Sequence, residues 1–153
     1  NILLNGAQRR QTVAATGGPV SLGARQVIKV CDFGNARLAR DARYYRKTGS
    51  VALVPYEDFT GTIGYVAPEI LKHQHYSTPV DMWSLGIILY VMLCGLPPFQ
   101  PYRTCLERPV EFPAPFWNKV GKVAQGLCAR LLEPDPAKRI KAKAVLKHPW
   151  LLQ

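Results

Sequence analysis

The sequence predicts a mainly α-helical fold with a short strand ahead of the helices. Segments with apolar residues at helical spacing dominate after residue 68. Before them, Val27–Cys31 is a β-branched run, which is typical of a strand. With 153 residues and 48% hydrophobic content, the chain can bury one core and forms at most one domain.

The predicted strand leads directly into Asp32, so the carboxylate should lie at the rim of the strand, where a ligand can reach it. Gly34 should then let the backbone turn without a clash from a β-carbon. The plain alternative for Asp32 is an ordinary turn residue before a glycine.

Two stretches show no apolar periodicity. Residues 6–25 are rich in Gly, Ala, Gln, Arg and Thr, and we expect a disordered insert there. Residues 41–59 are also predicted to lack regular structure. Neither stretch suggests a separate domain.

The longest predicted helix starts near residue 78. Thr78 fits the N-cap, Pro79 fits the first helical position, and Asp81 is placed to complete a capping box. Gly95 and Pro97-Pro98 should end the helix. Its apolar residues cover nearly all sides, which predicts a buried helix. They are Val80, Trp83, Leu85, Ile87, Ile88, Val91 and Met92.

Shorter helices complete the pattern. Pro68–Lys72 is predicted to form a short helix, and residues 117–132 carry a helical stripe. The stripe consists of Val120, Val123, Leu127, Leu131 and Leu132. Residues 141–147 should form one or two last helical turns ended by Pro149, with His148 capping them.

The composition limits the cellular locations and the classes of binding partner that we expect for this chain. The four cysteines show no paired spacing, which favours a reduced cytoplasmic or nuclear location over a disulfide or zinc framework. The longest apolar run, Leu85 to Cys94, is too short for a membrane span. The formal net charge is +10, but the basic residues are scattered without interleaved aromatic residues, so nucleic-acid binding is not expected.

Several motifs occur in a fixed order. Asp32-Phe33-Gly34 is followed by Gly61–Glu69, which reads GTIGYVAPE, and by Asp81–Gly86, which reads DMWSLG. Asp135-Pro136 with Arg139, and then His148-Pro149-Trp150, complete the series. Together these motifs resemble the catalytic domain of serine/threonine protein kinases, and specifically the calcium/calmodulin-dependent group. The resemblance covers nearly the whole chain outside the two irregular stretches.

The resemblance implies a fold. The chain is expected to form the large, C-terminal lobe of a kinase, with a short β-hairpin at its start and without the small lobe. Residues 1–153 then form a partial kinase domain, in which Asn1-Ile2-Leu3-Leu4 leads into the first strand and residues 32–69 form the activation segment.

The resemblance also implies roles for single residues. Asn1 and Asp32 match the two Mg²⁺ ligands, with ATP and Mg²⁺ as cofactors. Cys31 matches a residue that lines the nucleotide pocket beside Gly34, and the packing of Phe33 would set whether Asp32 points into the site. Thr62 matches a hydroxyl that bonds the catalytic aspartate and helps to place the acceptor.

Three further residues match structural roles in the family. Glu69 and Arg139 match an ion pair that clamps the end of the activation segment, and Asp81 matches a residue that supports the catalytic loop. The plain alternative for the pair is two surface charges that contribute under about 1 kcal/mol.

The implied activity is transfer of the ATP γ-phosphate to serine or threonine of protein substrates. The 153 residues contain no glycine-rich loop, no ATP-anchoring lysine strand and no His-Arg-Asp, so these residues alone are expected to be inactive. The alternatives are a pseudokinase or scaffold lobe that binds protein partners, and a basic nucleic-acid binder. Calmodulin or another regulator would bind outside this segment.

Overall fold

The computed structural model describes residues 2–5, 27–36 and 61–152. The chain divides into two compact units, Asn1–Ala36 and Arg37–Gln153, and each is considered by itself. Asn1, the predicted insert at 6–25 and the irregular stretch at 41–59 lie outside the described residues.

The first unit contains a two-stranded antiparallel sheet. Strand β1 is Ile2–Asn5 and strand β2 is Val27–Val30. Ile2 lies opposite Val30, and Asn5 lies opposite Val27. This pairing confirms the predicted strand and the hairpin that the resemblance implied. After β2, a 3₁₀ turn spans Phe33–Asn35.

In the described residues of the second unit the extended regular elements are helices joined by turns and irregular segments, which confirms the mainly α prediction. Its α-helices are α1 at Pro68–Leu71, α2 at Pro79–Cys94, α3 at Ala114–Trp117, α4 at Lys122–Leu131 and α5 at Ala142–Val145. Two 3₁₀ helices lie at Tyr102–Leu106 and Pro149–Leu151.

Helix α2 starts and ends where the sequence predicts, but the predicted capping box is wrong. Pro79 occupies the first turn, and Gly95 ends the helix with φ 81°. Thr78 makes no side-chain capping bond, because its backbone is already helical. The first turn is closed by backbone instead: the amide of Asp81 donates to the Thr78 carbonyl over 3.2 Å.

Burial of α2 is one-sided. Its fully buried residues are Trp83, Gly86, Ile87 and Tyr90. Met92, about two and a half turns after Trp83 and therefore on the opposite side of the helix, is 77% exposed, so the prediction of burial on all sides is wrong. On the buried side α2 approaches α4 closely. A β-carbon on Gly86 would lie 2.8 Å from a side-chain atom of the facing helix.

Helix α4 is shorter than the predicted stripe at 117–132. It begins at Lys122, after Gly121 in an extended conformation, and Val123 is 43% exposed. Gln125 is buried, and its side-chain amide donates to the carbonyls of Val120 and Trp117 over 2.8 and 3.2 Å. These bonds hold the connection between α3 and α4 in a non-helical path, which explains why the stripe is interrupted.

The end of the chain differs from the sequence prediction in one detail. Helix α5 ends at Val145, and the His148 side chain does not cap it. Nδ1 of His148 accepts a hydrogen bond from the amide of Trp150 over 3.4 Å. The imidazole therefore caps the start of the following 3₁₀ helix, in which Pro149 takes the first position.

The main core surrounds α2 and is rich in aromatic residues. Trp83 stacks on Phe99 with ring centroids 5.7 Å apart, and Tyr90 packs on Trp117 at 4.6 Å. Such pairs contribute about 0.5–1.5 kcal/mol beyond area burial. None of the described helices is long and apolar enough to cross a membrane.

Candidate active-site segments

Asp32 occupies a sharp turn directly after β2. Its backbone is left-handed, with φ 62° and ψ 68°, and its side chain is exposed. Left-handed backbone is uncommon for residues other than glycine, and aspartate is among those that tolerate it best. The conformation costs about 1–2 kcal/mol. The structure therefore shows a carboxylate presented at the strand end, as the sequence predicts.

Gly34 does not make this turn, contrary to the prediction. A β-carbon on Gly34 would lie 3.6 Å from Oδ1 of Asp32, which is an ordinary contact, and the left-handed residue is Asp32 itself. The turn is closed by the amide of Ala36, which donates to the Phe33 carbonyl over 2.9 Å.

Phe33 and Cys31 flank Asp32 in the same turn. Phe33 is 68% exposed. Cys31 is half-buried. Cys31, Asp32, Phe33 and Gly34 are thus consecutive residues of one turn. Asn1, the second predicted Mg²⁺ ligand, lies outside the described residues, and the ligand roles stay predictions.

The exposed carboxylate of Asp32 can be compared with the ligands that metal ions prefer in proteins. Within residues 2–5, 27–36 and 61–152 there is no group of three His, Cys, Asp or Glu residues that could hold a metal ion. Mg²⁺ is commonly held by one or two carboxylates together with nucleotide phosphates and water. A single exposed carboxylate at Asp32 therefore fits Mg²⁺ delivered with a nucleotide.

Thr62 lies in the second unit, on a short exposed loop. The amide of Tyr65 donates to the carbonyls of Thr62 and Ile63 over 3.2 and 2.9 Å, which closes the turn. Gly64 has φ 103°, a conformation that side-chain-bearing residues rarely adopt. Thr62 therefore projects from a tight, glycine-dependent turn, and its predicted contact with a catalytic aspartate stays a prediction.

Two hydroxyl groups hold the end of this loop. The Tyr102 hydroxyl donates to the Val66 carbonyl and accepts the indole N–H of Trp83 at 3.0 Å. The Ser84 hydroxyl lies 2.8 Å from the Tyr65 carbonyl and 3.2 Å from the Val80 carbonyl, and the shorter contact is to Tyr65. Sequence reasoning missed these contacts. Tyr102 is 36 residues from Val66, and no local pattern marks a contact of that range.

The predicted ion pair between Glu69 and Arg139 is confirmed. Nη1 of Arg139 lies 2.8 Å from Oε1 of Glu69, and Nη2 lies 2.9 Å from Oε2. Glu69 is 4% exposed and Arg139 is 2% exposed. The interpretation as two surface charges is therefore wrong, and this is a buried bidentate pair.

Arg139 uses all of its donors. Besides Glu69, the guanidinium donates to the carbonyls of Glu133, Pro79 and Pro134 over 2.8, 2.9 and 3.3 Å. It also lies over the ring of Trp83, 5.2 Å from the centroid. One side chain thus joins α1, the start of α2 and the segment after α4.

Asp81 lies in the first turn of α2. Its side chain is exposed on one side, and partial desolvation raises the pKa of its carboxyl above the ordinary value. The predicted support of a catalytic loop stays a prediction.

The chain belongs to the protein kinase family. The family model described as "Protein kinase domain" matches residues 1–151. The matched region contains both the Asp32 turn and the Gly61–Glu69 loop, in the order that the motifs predicted.

Similar proteins include several serine/threonine kinases. The chain is 39% identical to "Probable serine/threonine-protein kinase pXi" of Dictyostelium discoideum over 82% of this chain and 16% of that protein. It is 38% identical to "Calcium-dependent protein kinase 33" of Arabidopsis thaliana over 83% of this chain and 23% of that protein.

A third relative is "Calcium/calmodulin-dependent protein kinase type II subunit delta" of Oryctolagus cuniculus. It is 43% identical over 61% of this chain and 19% of that protein. These matches support the resemblance to the calcium/calmodulin-dependent group. The aligned regions span about a fifth of the length of the relatives.

Proposed function

We propose that the chain is the large-lobe part of a kinase that transfers the ATP γ-phosphate to serine or threonine residues of protein substrates. The observation that carries this proposal is the exposed carboxylate of Asp32 on a left-handed turn after β2. The family relationship and the buried clamp on the Gly61–Glu69 loop support it.

In this proposal Asp32, together with Asn1, holds Mg²⁺ against the nucleotide phosphates. The bound ion supplies charge neutralisation as the phosphoryl group leaves. Cys31, Phe33 and Gly34 lie beside the nucleotide. In this proposal the left-handed backbone of Asp32 fixes the orientation of its carboxylate before the nucleotide arrives.

Thr62 serves the acceptor side in this proposal. Its hydroxyl would orient the catalytic base and the acceptor hydroxyl. The turn closed at Tyr65 holds Thr62, and the buried Glu69–Arg139 pair anchors the residues that follow it. Protein substrates are the partners of this loop, and calmodulin or another regulator would act from outside the segment.

The test uses the full-length protein that contains this chain. We expect Asp32→Asn to abolish phosphate transfer to a serine- and threonine-containing peptide array, because a neutral amide holds Mg²⁺ poorly. Glu107→Gln is the control, since it neutralises an exposed carboxylate of the second unit. Undiminished transfer by Asp32→Asn would contradict the proposal.

The competing function is a pseudokinase or scaffold that binds protein partners. Two measurements on the same protein distinguish this function from that of an active kinase. If the wild type binds MgATP in calorimetry and phosphorylates peptides, the scaffold interpretation fails. If the wild type neither binds MgATP nor transfers phosphate, the enzymatic proposal fails.

A further inference from the structure

The hydroxyl of Tyr102 joins three elements of the second unit. Tyr102 itself lies at the start of the 3₁₀ helix at 102–106. Its hydroxyl accepts a hydrogen bond from the indole N–H of Trp83 in α2 and donates one to the carbonyl of Val66, which precedes α1. Phe99 packs edge-on against the ring at 6.4 Å. Burial raises the pKa of Tyr102 well above its ordinary value, so the hydroxyl keeps the proton that it donates.

The hydrogen bond from Tyr102 to the Val66 carbonyl lies where the exposed loop enters the core. Val66 is 6% exposed, whereas Thr62 and Ile63 on the same loop are exposed. The Ser84 hydroxyl holds the preceding carbonyl, that of Tyr65. Two consecutive carbonyls are therefore fixed by hydroxyl groups from other elements, directly after the turn that carries Thr62.

We propose that Tyr102 is a positioning residue that holds the Thr62 loop in the conformation that binds the acceptor protein. This inference rests on the proposed kinase function. Tyr102 itself touches neither the nucleotide nor the acceptor in this proposal. It acts through the Val66 carbonyl, whose position sets the direction in which residues 61–65 leave the core.

The kinetic consequence depends on the fraction of molecules in which the Thr62 loop has the conformation that binds the acceptor. Removing the hydroxyl leaves the buried Val66 carbonyl and the Trp83 indole N–H without their shared partner. A smaller fraction of molecules then holds the loop in the binding conformation, and the apparent acceptor affinity falls by that fraction. Saturating acceptor restores the conformation. The KM for the acceptor should therefore rise while kcat and the KM for ATP stay unchanged.

The test compares Tyr102→Phe with a matched control in the full-length protein. Tyr90→Phe removes a hydroxyl that also donates to a backbone carbonyl, that of Glu111 at 2.8 Å, away from the loop. The probe is the most strongly phosphorylated peptide of a serine and threonine array. For Tyr102→Phe we expect the peptide KM to rise measurably and by at most about tenfold, the upper limit that one net hydrogen bond sets on the shift of the loop equilibrium. Tyr90→Phe should leave it unchanged. An equal KM for both variants, or a fall in kcat alone, would overturn the inference.

A second measurement does not depend on activity. Amide hydrogen exchange of residues 63–67 should be faster in Tyr102→Phe than in the wild type and in Tyr90→Phe. Ser84→Ala, which releases the neighbouring carbonyl, should accelerate the same amides and serves if Tyr102→Phe does not fold. If the wild type phosphorylates no peptide, the proposed function fails, and the exchange rates alone decide the role of Tyr102. Unchanged exchange in Tyr102→Phe would refute it.

Discussion

Glu69→Gln provides the sharpest test of how the activation segment is anchored. The change keeps the size of the side chain and removes its charge. It leaves the Arg139 guanidinium, which is 2% exposed, without its counter-ion. The single oxygen of the new amide can still accept a hydrogen bond, but its NH₂ group would face a second guanidinium N–H, so that donor loses its partner.

The magnitude follows from this burial. Breaking a buried pair by removing one partner costs about 3–5 kcal/mol, because the remaining charge is uncompensated. The bonds from Arg139 to three backbone carbonyls persist, and one bond to the substituted side chain remains, so we expect the lower end, about 3 kcal/mol. Small domains have about 5–15 kcal/mol of total stability, so such a loss is easily measured.

The assay is urea unfolding followed by tryptophan fluorescence, with midpoint and slope compared between variants. The control is Glu111→Gln, which breaks an exposed pair with Arg108 at 3.3 Å. Both partners are about half exposed, so the control should cost under about 1 kcal/mol. If Glu69→Gln costs no more than the control, the clamp does not stabilise the fold.

A double-mutant cycle removes the remaining ambiguity. Arg139→Met should cost more than Glu69→Gln, because it also leaves buried carbonyls without a donor. The double variant Glu69→Gln with Arg139→Met should cost less than the sum of the two single changes, since the charge left unpaired in Glu69→Gln is gone. Strict additivity would show that the two side chains do not interact energetically.

Three further expectations follow from packing and burial. Gly86→Ala should lower the free energy of unfolding, because overpacking costs about 1–3 kcal/mol while the helix propensity of alanine offsets about 1 kcal/mol of that loss. A variant more stable than the wild type would contradict the close approach of α2 and α4. Burial raises the pKa of Cys105 to about 11 and of Cys128 to about 12, so at pH 8 iodoacetamide should modify the half-buried Cys94 before either of them, and equal rates would contradict this order. A hydrogen bond from the Ala137 amide lowers the pKa of Asp135, so the ionised carboxylate stabilises the fold above about pH 4, and this stabilisation is lost as the pH falls through the pKa in the folded protein. Asp135→Asn should therefore flatten the fall in the urea midpoint between about pH 5 and 2. An unchanged pH profile would show that Asp135 makes no such contribution to stability.

Local chemistry explains what the sequence predicted well. Strand β2 follows from its β-branched run, and α2 follows from Pro79 at its start and Gly95 at its end, since these signals act through backbone sterics alone. The Glu69–Arg139 pair was recognised from motifs rather than from periodicity. No pattern within either segment indicates a contact between side chains 70 residues apart.

The errors have a common physical origin. Val123 fits a helical apolar stripe and yet is exposed, while polar Gln125 is buried because its amide satisfies two carbonyls of the preceding connection. At Thr78, backbone amides bond within the first turn, so the side chain has no donor to cap. In each case hydrogen bonds to or within the backbone, which the pattern of apolar residues does not record, decided the outcome.

The same principle explains why motif residues and positioning residues differ in visibility. Thr62 and Asp32 could be identified because the proposed chemistry restricts the residue type at those places. The hydroxyl groups of Ser84 and Tyr102 bind backbone carbonyls, which every residue carries, so the loop sequence records nothing about them. Only the folded arrangement identifies them. Residues that hold a loop through its carbonyls should therefore be sought in structures, starting from buried donors that bond at the base of an exposed turn.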